Sequence, residues 1–403
     1  MSVTCCLPLC AVWILLGAAV ATATEAPAAA SKKTSNVHGR SDFSRARDRF
    51  EKTKKGHVAF IGGSITEMEG YRPLLADWLK ERFPDTEFTV TAAGISSTCS
   101  TTGAFRLERD VLSQGPVDLF FVEFAVNDDQ DAHHTREECI RGLEGILRHT
   151  LLHHPQAEIV VTYFVNPDMR DALTAGKTPV PIAAHEKVAR HYGVSSVNLA
   201  KEVAERIQRG DLTWETYGGT HPKLPGNRLA ADLIIDMLSQ AWQGDAPATP
   251  TPAAPLPAML DEASYAAGRF VSPAEAKFTA PWQLHTPDWK KLPGSCRGRF
   301  LEQKLLCADQ AGAEFSLAFE GRAIGAYLLA GPDAGAVEAS IDGGPFEKFD
   351  LYHHYSKGLH YPRTVMFADE LEPGTHSLRL RIAADKNPAS SGHAVRILQF
   401  TAN

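Results

Sequence analysis

Val58-Ala59-Phe60-Ile61-Gly62-Gly63-Ser64-Ile65-Thr66 is the stretch that decides the fold. Four apolar residues in a row, closed by two glycines, read as a parallel strand buried on both faces. Glycine lets the backbone turn sharply at the strand's carboxyl end, so Ser64 emerges there with little steric cover. Taken alone Gly-Gly-Ser is a weak signal, because a plain turn or a helix N-cap uses the same residues. Similar apolar runs follow at 88–92, 119–124, 159–164 and 194–199. Between them apolar residues return at helical spacing: Leu74, Leu75, Trp78, Leu79 and Phe83 line one face, and Cys139, Ile140, Leu143, Ile146 and Leu147 another. Further helical patterns cover 182–192 and 229–242. Strand and helix therefore alternate, which predicts an α/β domain over 56–243 with a parallel sheet covered on both faces. Such sheets place their sites at the carboxyl ends of the strands.

The rest of the chain arranges itself around this domain. Residues 7–23 are apolar and uncharged, and Ala21-Thr22-Ala23 is a small-x-small site, so 1–23 read as a signal peptide cleaved after Ala23. This places the protein in a secreted or periplasmic setting with no stable membrane insertion once the signal is removed. Residues 24–55, rich in Ala, Ser, Lys and Arg, read as a solvated leader with a short helix at 43–50. The segment 244–258 carries five prolines and reads as a semi-rigid linker. From 259 to 403 the apolar period falls to two, with turns at Asp342-Gly343-Gly344 and Glu372-Pro373-Gly374. A β-sandwich of jelly-roll type is expected there.

Composition narrows the function. Of 403 residues 44% are hydrophobic and 22% charged, the make-up of a folded globular protein. A net charge of −7 leaves no general basic field for a polyanion, which argues against nucleic-acid binding. One long apolar stretch excludes a multi-span membrane protein. Of seven cysteines, Cys5, Cys6 and Cys10 leave with the signal. Cys99, Cys139, Cys296 and Cys307 include no CxxC pair, which argues against zinc or a redox motif. Cys296 and Cys307 are either a disulfide in an oxidising compartment or two reduced core thiols.

Three further residues take up positions like that of Ser64. Gly94 lies just past the second strand, Asn127 follows the third in Val126-Asn127-Asp128-Asp129, and His221 precedes the last helix of the domain in Gly219-Thr220-His221-Pro222. Acyl transfer needs a nucleophile, a base that takes its proton, and donors aimed at the oxyanion. Ser64, His221, and the Ser64 N–H, Gly94 N–H and Asn127 amide have the chemistry for those parts.

In these four blocks the sequence resembles the GDSL/SGNH hydrolase family, over roughly 56–243. The matching blocks are Gly62-Gly63-Ser64-Ile65-Thr66, Gly94, Val126-Asn127-Asp128 and His221-Pro222. The resemblance implies a three-layer α/β/α flavodoxin-like domain and an esterase, lipase or carbohydrate deacetylase that needs no metal or other cofactor. Carried over residue by residue, it makes Ser64 the nucleophile, His221 the base, and Ser64, Gly94 and Asn127 the oxyanion hole. Two positions depart from the pattern. Gly63 stands where the family usually has Asp, and Gly218 where its acid lies, three residues before the His. A Ser–His dyad like that of carbohydrate esterase family 2, whose members also carry a jelly-roll domain, is then expected. Backbone support, or a carboxylate of Asp211 or Glu215, would orient the base.

The C-terminal region holds Tyr352-His353-His354-Tyr355 and Leu359-His360-Tyr361. His353, His354 and His360 are candidate substrate contacts on a sugar-stacking surface or lid, and the alternative is an exposed amphipathic loop. Adjacent histidines on a strand point to opposite sides and make a poor ligand pair. Asp128 either shapes the cleft or caps a helix, while His133-His134 and His153-His154 read as solvated. The resulting expectation is a serine esterase that removes acetyl groups from a carbohydrate, with the acylated carbohydrate as its partner. The alternatives are a non-catalytic glycan-binding protein on the same fold, or a lipase or lysophospholipase.

Overall fold

Residues 1–3 and 36–403 are described in the computed structural model; the expected signal segment, its cleavage point and Cys5, Cys6 and Cys10 lie outside them. No described helix is long and apolar enough to cross a membrane. The expectation of a solvated leader fails for its described part. Strand β1 (Val37–His38) pairs antiparallel with the sheet, and α1 (Ser44–Thr53) packs on it. Phe43, Ala46 and Phe50, at i, i+3 and i+7, are at most 1% exposed and share a core with Val58 and Phe60.

The sheet proper is β2 (Lys55–Gly62), β3 (Glu87–Gly94), β4 (Leu119–Glu123), β5 (Glu158–Thr162) and β6 (Ser195–Val197), all parallel. Its order is β1-β6-β5-β4-β2-β3. Every residue of β4 and β5 is buried, as strands covered on both faces require. Helices α2 (Ser64–Glu67), α3 (Tyr71–Arg82), α4 (Ser100–Asp110), α5 (Ala125–Gln130), α6 (Arg136–His153), α7 (Pro167–Thr174) and α8 (Val180–His191) lie between the strands. After β6 come α9 (Leu199–Arg209), α10 (Trp214–Tyr217) and α11 (Leu224–Ala241). Helices α4, α6 and α8 pack in a row, α3 packs on α11, and α7 on α9. The chain runs from β2 to β3 on one side, then crosses to β4 on the other. That reversal opens a crevice at the carboxyl ends of β2 and β4, where sheets of this kind bind ligands.

The C-terminal region is all-β. One antiparallel sheet contains β7 (Arg269–Val271), β9 (Gln283–His285), β10 (Leu305–Ala308), β12 (Ile324–Ala330), β15 (Tyr361–Ala368) and β17 (Val395–Ala402). The other contains β8 (Lys277–Phe278), β11 (Glu314–Gly321), β13 (Ala336–Ile341), β14 (Glu347–Asp350) and β16 (Gly374–Ile382). Ala326, Leu328 and Ile397 of the first meet Phe315, Leu317 and Leu380 of the second in one core, which makes a sandwich. The alternate residues Tyr327, Leu329 and Leu398 turn the other way and pack with Ile95 of the α/β domain.

Thr34–Asn403 is one compact unit, and polar anchors explain why. The proline-rich 244–258 segment lies along the α/β domain, with Thr251 N–H donating to Ser44 Oγ (2.9 Å) and Arg148 to Pro257 O (2.7 Å). Arg141 of α6 pairs with Asp261 (2.8 Å), Asp369 (2.9 Å) and Glu370. Buried Glu144 accepts from Leu260 N (2.6 Å), Asp261 N (3.0 Å) and Ser264 Oγ (2.5 Å). Such contacts offset the desolvation that a buried carboxylate suffers. Cys99, Cys139, Cys296 and Cys307 are all free thiols, so Cys296 and Cys307 are not bridged.

Candidate active site

Ser64 is the first residue of α2, immediately after the Gly62-Gly63 end of β2. Its Oγ lies 2.8 Å from Nε2 of His221, which the loop before α11 delivers from 157 residues away. Ser64 is half-buried and His221 exposed, so the pair faces solvent. The backbone beneath is braced by a residue that sequence reading missed. Arg106, fully buried on α4, donates to Ala93 O (2.7 Å) and Gly62 O (2.9 Å) and pairs with Asp110 (3.0 Å). It ties the carboxyl ends of β2 and β3 together just before Ser64 and Gly94. The only hint in the sequence is an arginine on the apolar side of a helix.

Two glycines permit close approach. A Cβ on Gly63 would stand 1.9 Å from Asn127 Oδ1, and one on Gly94 would stand 2.3 Å from the Glu67 N. In this backbone neither position takes a side chain without movement of its neighbours. Asn127, in the first turn of α5 after β4, is 2% exposed and donates through Nδ2 to Asp131 Oδ2 at 2.6 Å. Ser64, Gly94, Asn127 and His221 thus meet at the carboxyl edge of β2, β3 and β4.

The acid is not among them. Gly218 has φ 113°, in the left-handed region, and a Cβ there would lie 2.0 Å from Lys223 N. This backbone has no room for an aspartate at that position. Among the described residues His221 makes one hydrogen bond, to Ser64. Asp211 pairs with Arg209 at 2.9 Å, and exposed Glu215 offers only its carbonyl to Lys223 Nζ at 3.3 Å. Neither carboxylate reaches His221, and the expected backbone support to the imidazole is also not seen.

Several candidate contacts are elsewhere. Asp128 is fully buried and does not line the cleft. It accepts from Ser100 N (2.7 Å), Ser100 Oγ (2.7 Å) and His185 Nε2 (2.9 Å), anchoring the start of α4. Burial alone would raise its carboxyl, yet His134 and His185 hold it well below the ordinary carboxylate range. His134, expected to be solvated, is drawn inward by this charge. His360 is 0% exposed against Trp289, so it cannot touch a substrate. His353 is buried too, its Nε2 bonded to Asp131 O (2.8 Å) and its ring stacked on Tyr361 at 4.2 Å. Residues 354–357 form a short 3-10 turn, not a strand, and leave His354 and Tyr355 exposed at the surface.

Among the described residues three groups place ligating atoms within 4.8 Å: Cys99–Asp128–His134, Asp128–Cys139–His185 and Glu108–His149–His153. The first two share the Asp128 carboxylate, whose oxygens are already engaged by Ser100 and His185.

Glu123, the last residue of β4, is a second buried acid under the site. Thr66 Oγ1 donates to it at 3.2 Å, and its carboxyl is pushed up to about 8, chiefly by burial. The folded protein therefore holds a proton that the unfolded chain releases near the ordinary glutamate value of 4.5. This contribution to stability is complete below that value and is lost as pH rises through about 8. Glu123→Gln is expected to flatten the decline, so that its Tm gains on the wild type between pH 5 and 8. Parallel Tm curves would show that Glu123 ionises normally.

Residues 60–229 match the GDSL-like Lipase/Acylhydrolase family. No curated protein is similar to the chain in sequence. Among solved structures, a two-domain esterase (CEX) active on acetylated mannans covers 91% of this chain and 97% of its own, at TM-score 0.72 and 20% identity. The same esterase co-crystallised with mannopentaose superposes with TM-score 0.72 and 20% identity over 91% of this chain and 96% of its own. The shared arrangement extends through both regions of the fold.

Proposed function

We propose that this protein, whose residues 60–229 match the GDSL-like Lipase/Acylhydrolase family, is an exported serine esterase that removes acetyl groups from a carbohydrate. The observation that carries the proposal is the 2.8 Å Ser64–His221 contact at the carboxyl edge of the sheet. Ser64 Oγ attacks the ester carbonyl while its proton passes to His221 Nε2. The oxyanion that forms is met by the Ser64 and Gly94 N–H groups and the Asn127 amide. His221 returns the proton to the departing sugar oxygen, and water activated by the same ring releases acetate from the acyl-enzyme.

A sugar substrate is supported by three observations. The two-region fold is that of an esterase active on acetylated mannans. A groove of about 570 Å³, walled by Gly94, Ile95, Arg299, Gln303 and Tyr327, runs between the two regions and offers polar side chains to sugar hydroxyls. Tyr355 and His354, with ring centroids 4.0 Å apart, offer an exposed ring surface on which sugar C–H faces can pack. Arg299 pairs with Glu67 (2.7 Å), and Arg297 donates to Ser96 O (3.0 Å) and Ser97 Oγ (2.8 Å). The β-sandwich thereby grips the loop that follows Gly94.

The test is hydrolysis of a chromogenic acetyl ester, a long-chain ester and an acetylated mannan by the full chain. Acetate release from the first and third is expected; preference for the long chain would favour a lipase. No turnover of any ester by folded protein would favour the glycan-binding alternative. In the same assay Glu215→Gln and Asp211→Asn should each lower kcat less than about tenfold, against roughly 10⁴ for a triad acid. A loss of that size in either variant would identify a hidden acid.

A further inference from the structure

An asparagine amide has two planar orientations of nearly equal shape, and only its neighbours decide which end carries the donor. At Asn127 the choice is set. Nδ2 faces the Asp131 carboxyl at 2.6 Å, while Oδ1 lies buried against Gly63 with no partner. A flipped amide would put two oxygens face to face at that distance. Asp131 is itself fixed from the β-sandwich region: His353, stacked on Tyr361, bonds its carbonyl at 2.8 Å. Asn127, Asp131 and Tyr361 are all less than 9% exposed, so water competes little for these bonds.

We propose that Asp131 is a positioning residue, which holds the Asn127 amide with an N–H free for the oxyanion and is in turn held by His353 of the β-sandwich region. The proposal rests on the reading of Asn127 as an oxyanion donor. It gives the second region a part in the chemistry without contact with the reacting atoms. With Asp131 removed, the amide samples both orientations, and in the wrong one Oδ1 repels the developing negative charge.

The experiment is a double-mutant cycle on the full chain, read as kcat and KM on a chromogenic acetyl ester, with Tm recorded for each variant. Asp131→Ala should lower kcat by about 10- to 100-fold with KM nearly unchanged, part of the roughly 10²- to 10³-fold loss of a missing donor. Asp131→Asn, whose amide oxygen still accepts from Nδ2, should recover most of that activity. In an Asn127→Ala background Asp131→Ala should cost less than about twofold further, because the group it positions is gone. An equal loss in both backgrounds would overturn the proposal and leave the oxyanion reading standing. An Asn127→Ala variant with undiminished kcat would instead remove the reading beneath it. Should Asp131→Ala fail to fold, His353→Phe, which keeps a ring against Tyr361 but loses the bond to Asp131, keeps the test open: a several-fold kcat loss in the wild-type background only is expected, and an equal loss in both backgrounds, or none, overturns it.

Discussion

Ser64→Ala is expected to lower kcat on any ester by about 10⁴-fold or more, since nucleophile and base act as a unit. The expectation follows from what Ser64 touches. Its Oγ makes a single side-chain hydrogen bond, to His221, on a half-buried surface. Removing it leaves the turn Gly62-Gly63-Ser64 intact, because α2 is held by backbone bonds from Glu67 N to Gly63 O (3.0 Å) and from Met68 N to Ser64 O (3.0 Å). Arg72 supports the helix further, donating to Thr66 O and to Glu67 O (3.1 Å). Tm should therefore stay within about a degree or two of the wild type, as for a surface substitution. Binding of the sugar, measured calorimetrically on the inactive variant, should persist. Residual turnover near the wild-type rate would place the nucleophile elsewhere and remove the basis for assigning His221 as base.

The parts of this site that sequence reveals are those with a local signature. An apolar run closed by Gly-Gly announces β2 and the exposed serine, and the runs that follow give the parallel sheet. Strand ends then gather Ser64, Gly94 and Asn127, because β2 lies between β3 and β4. What stayed hidden depends on contacts between residues far apart in the chain. The described part of the leader looked solvated because Ser44–Thr53 is mostly polar, and its apolar contacts with the core come from Phe43, Ala46 and Phe50. Asp128 read as either a cleft residue or a helix cap, because nothing near it in sequence shows that Ser100 and His185 enclose it. His360 looked like a sugar contact because a Tyr/His-rich segment suggests a surface, whereas Trp289 covers its ring. The grip of Arg297 on Ser96 spans 201 residues, beyond any pattern in the sequence.

Asn127→Ala is the second large effect, a loss of roughly 10²- to 10³-fold in kcat with KM little changed. The split between the two constants is the informative part. A donor that meets charge present only in the transition state contributes to kcat, whereas one that holds the ground-state carbonyl contributes to KM as well. Asn127 is 2% exposed at the start of α5, with Gly63 pressed against its amide oxygen, so its place beside Ser64 is fixed before substrate arrives. Such preorganisation is what lets a single N–H stabilise an oxyanion strongly, because the donor need not reorient as the charge develops. The substitution also removes the 2.6 Å donor to Asp131 and leaves that buried acid one partner short, at a stability cost of about 1–3 kcal/mol. A lower Tm is therefore expected with the lower kcat, and the kinetics belong well below the new melting transition. A loss confined to KM at that temperature would make Asn127 a ground-state binding residue, leaving the Ser64 and Gly94 N–H groups as the oxyanion hole.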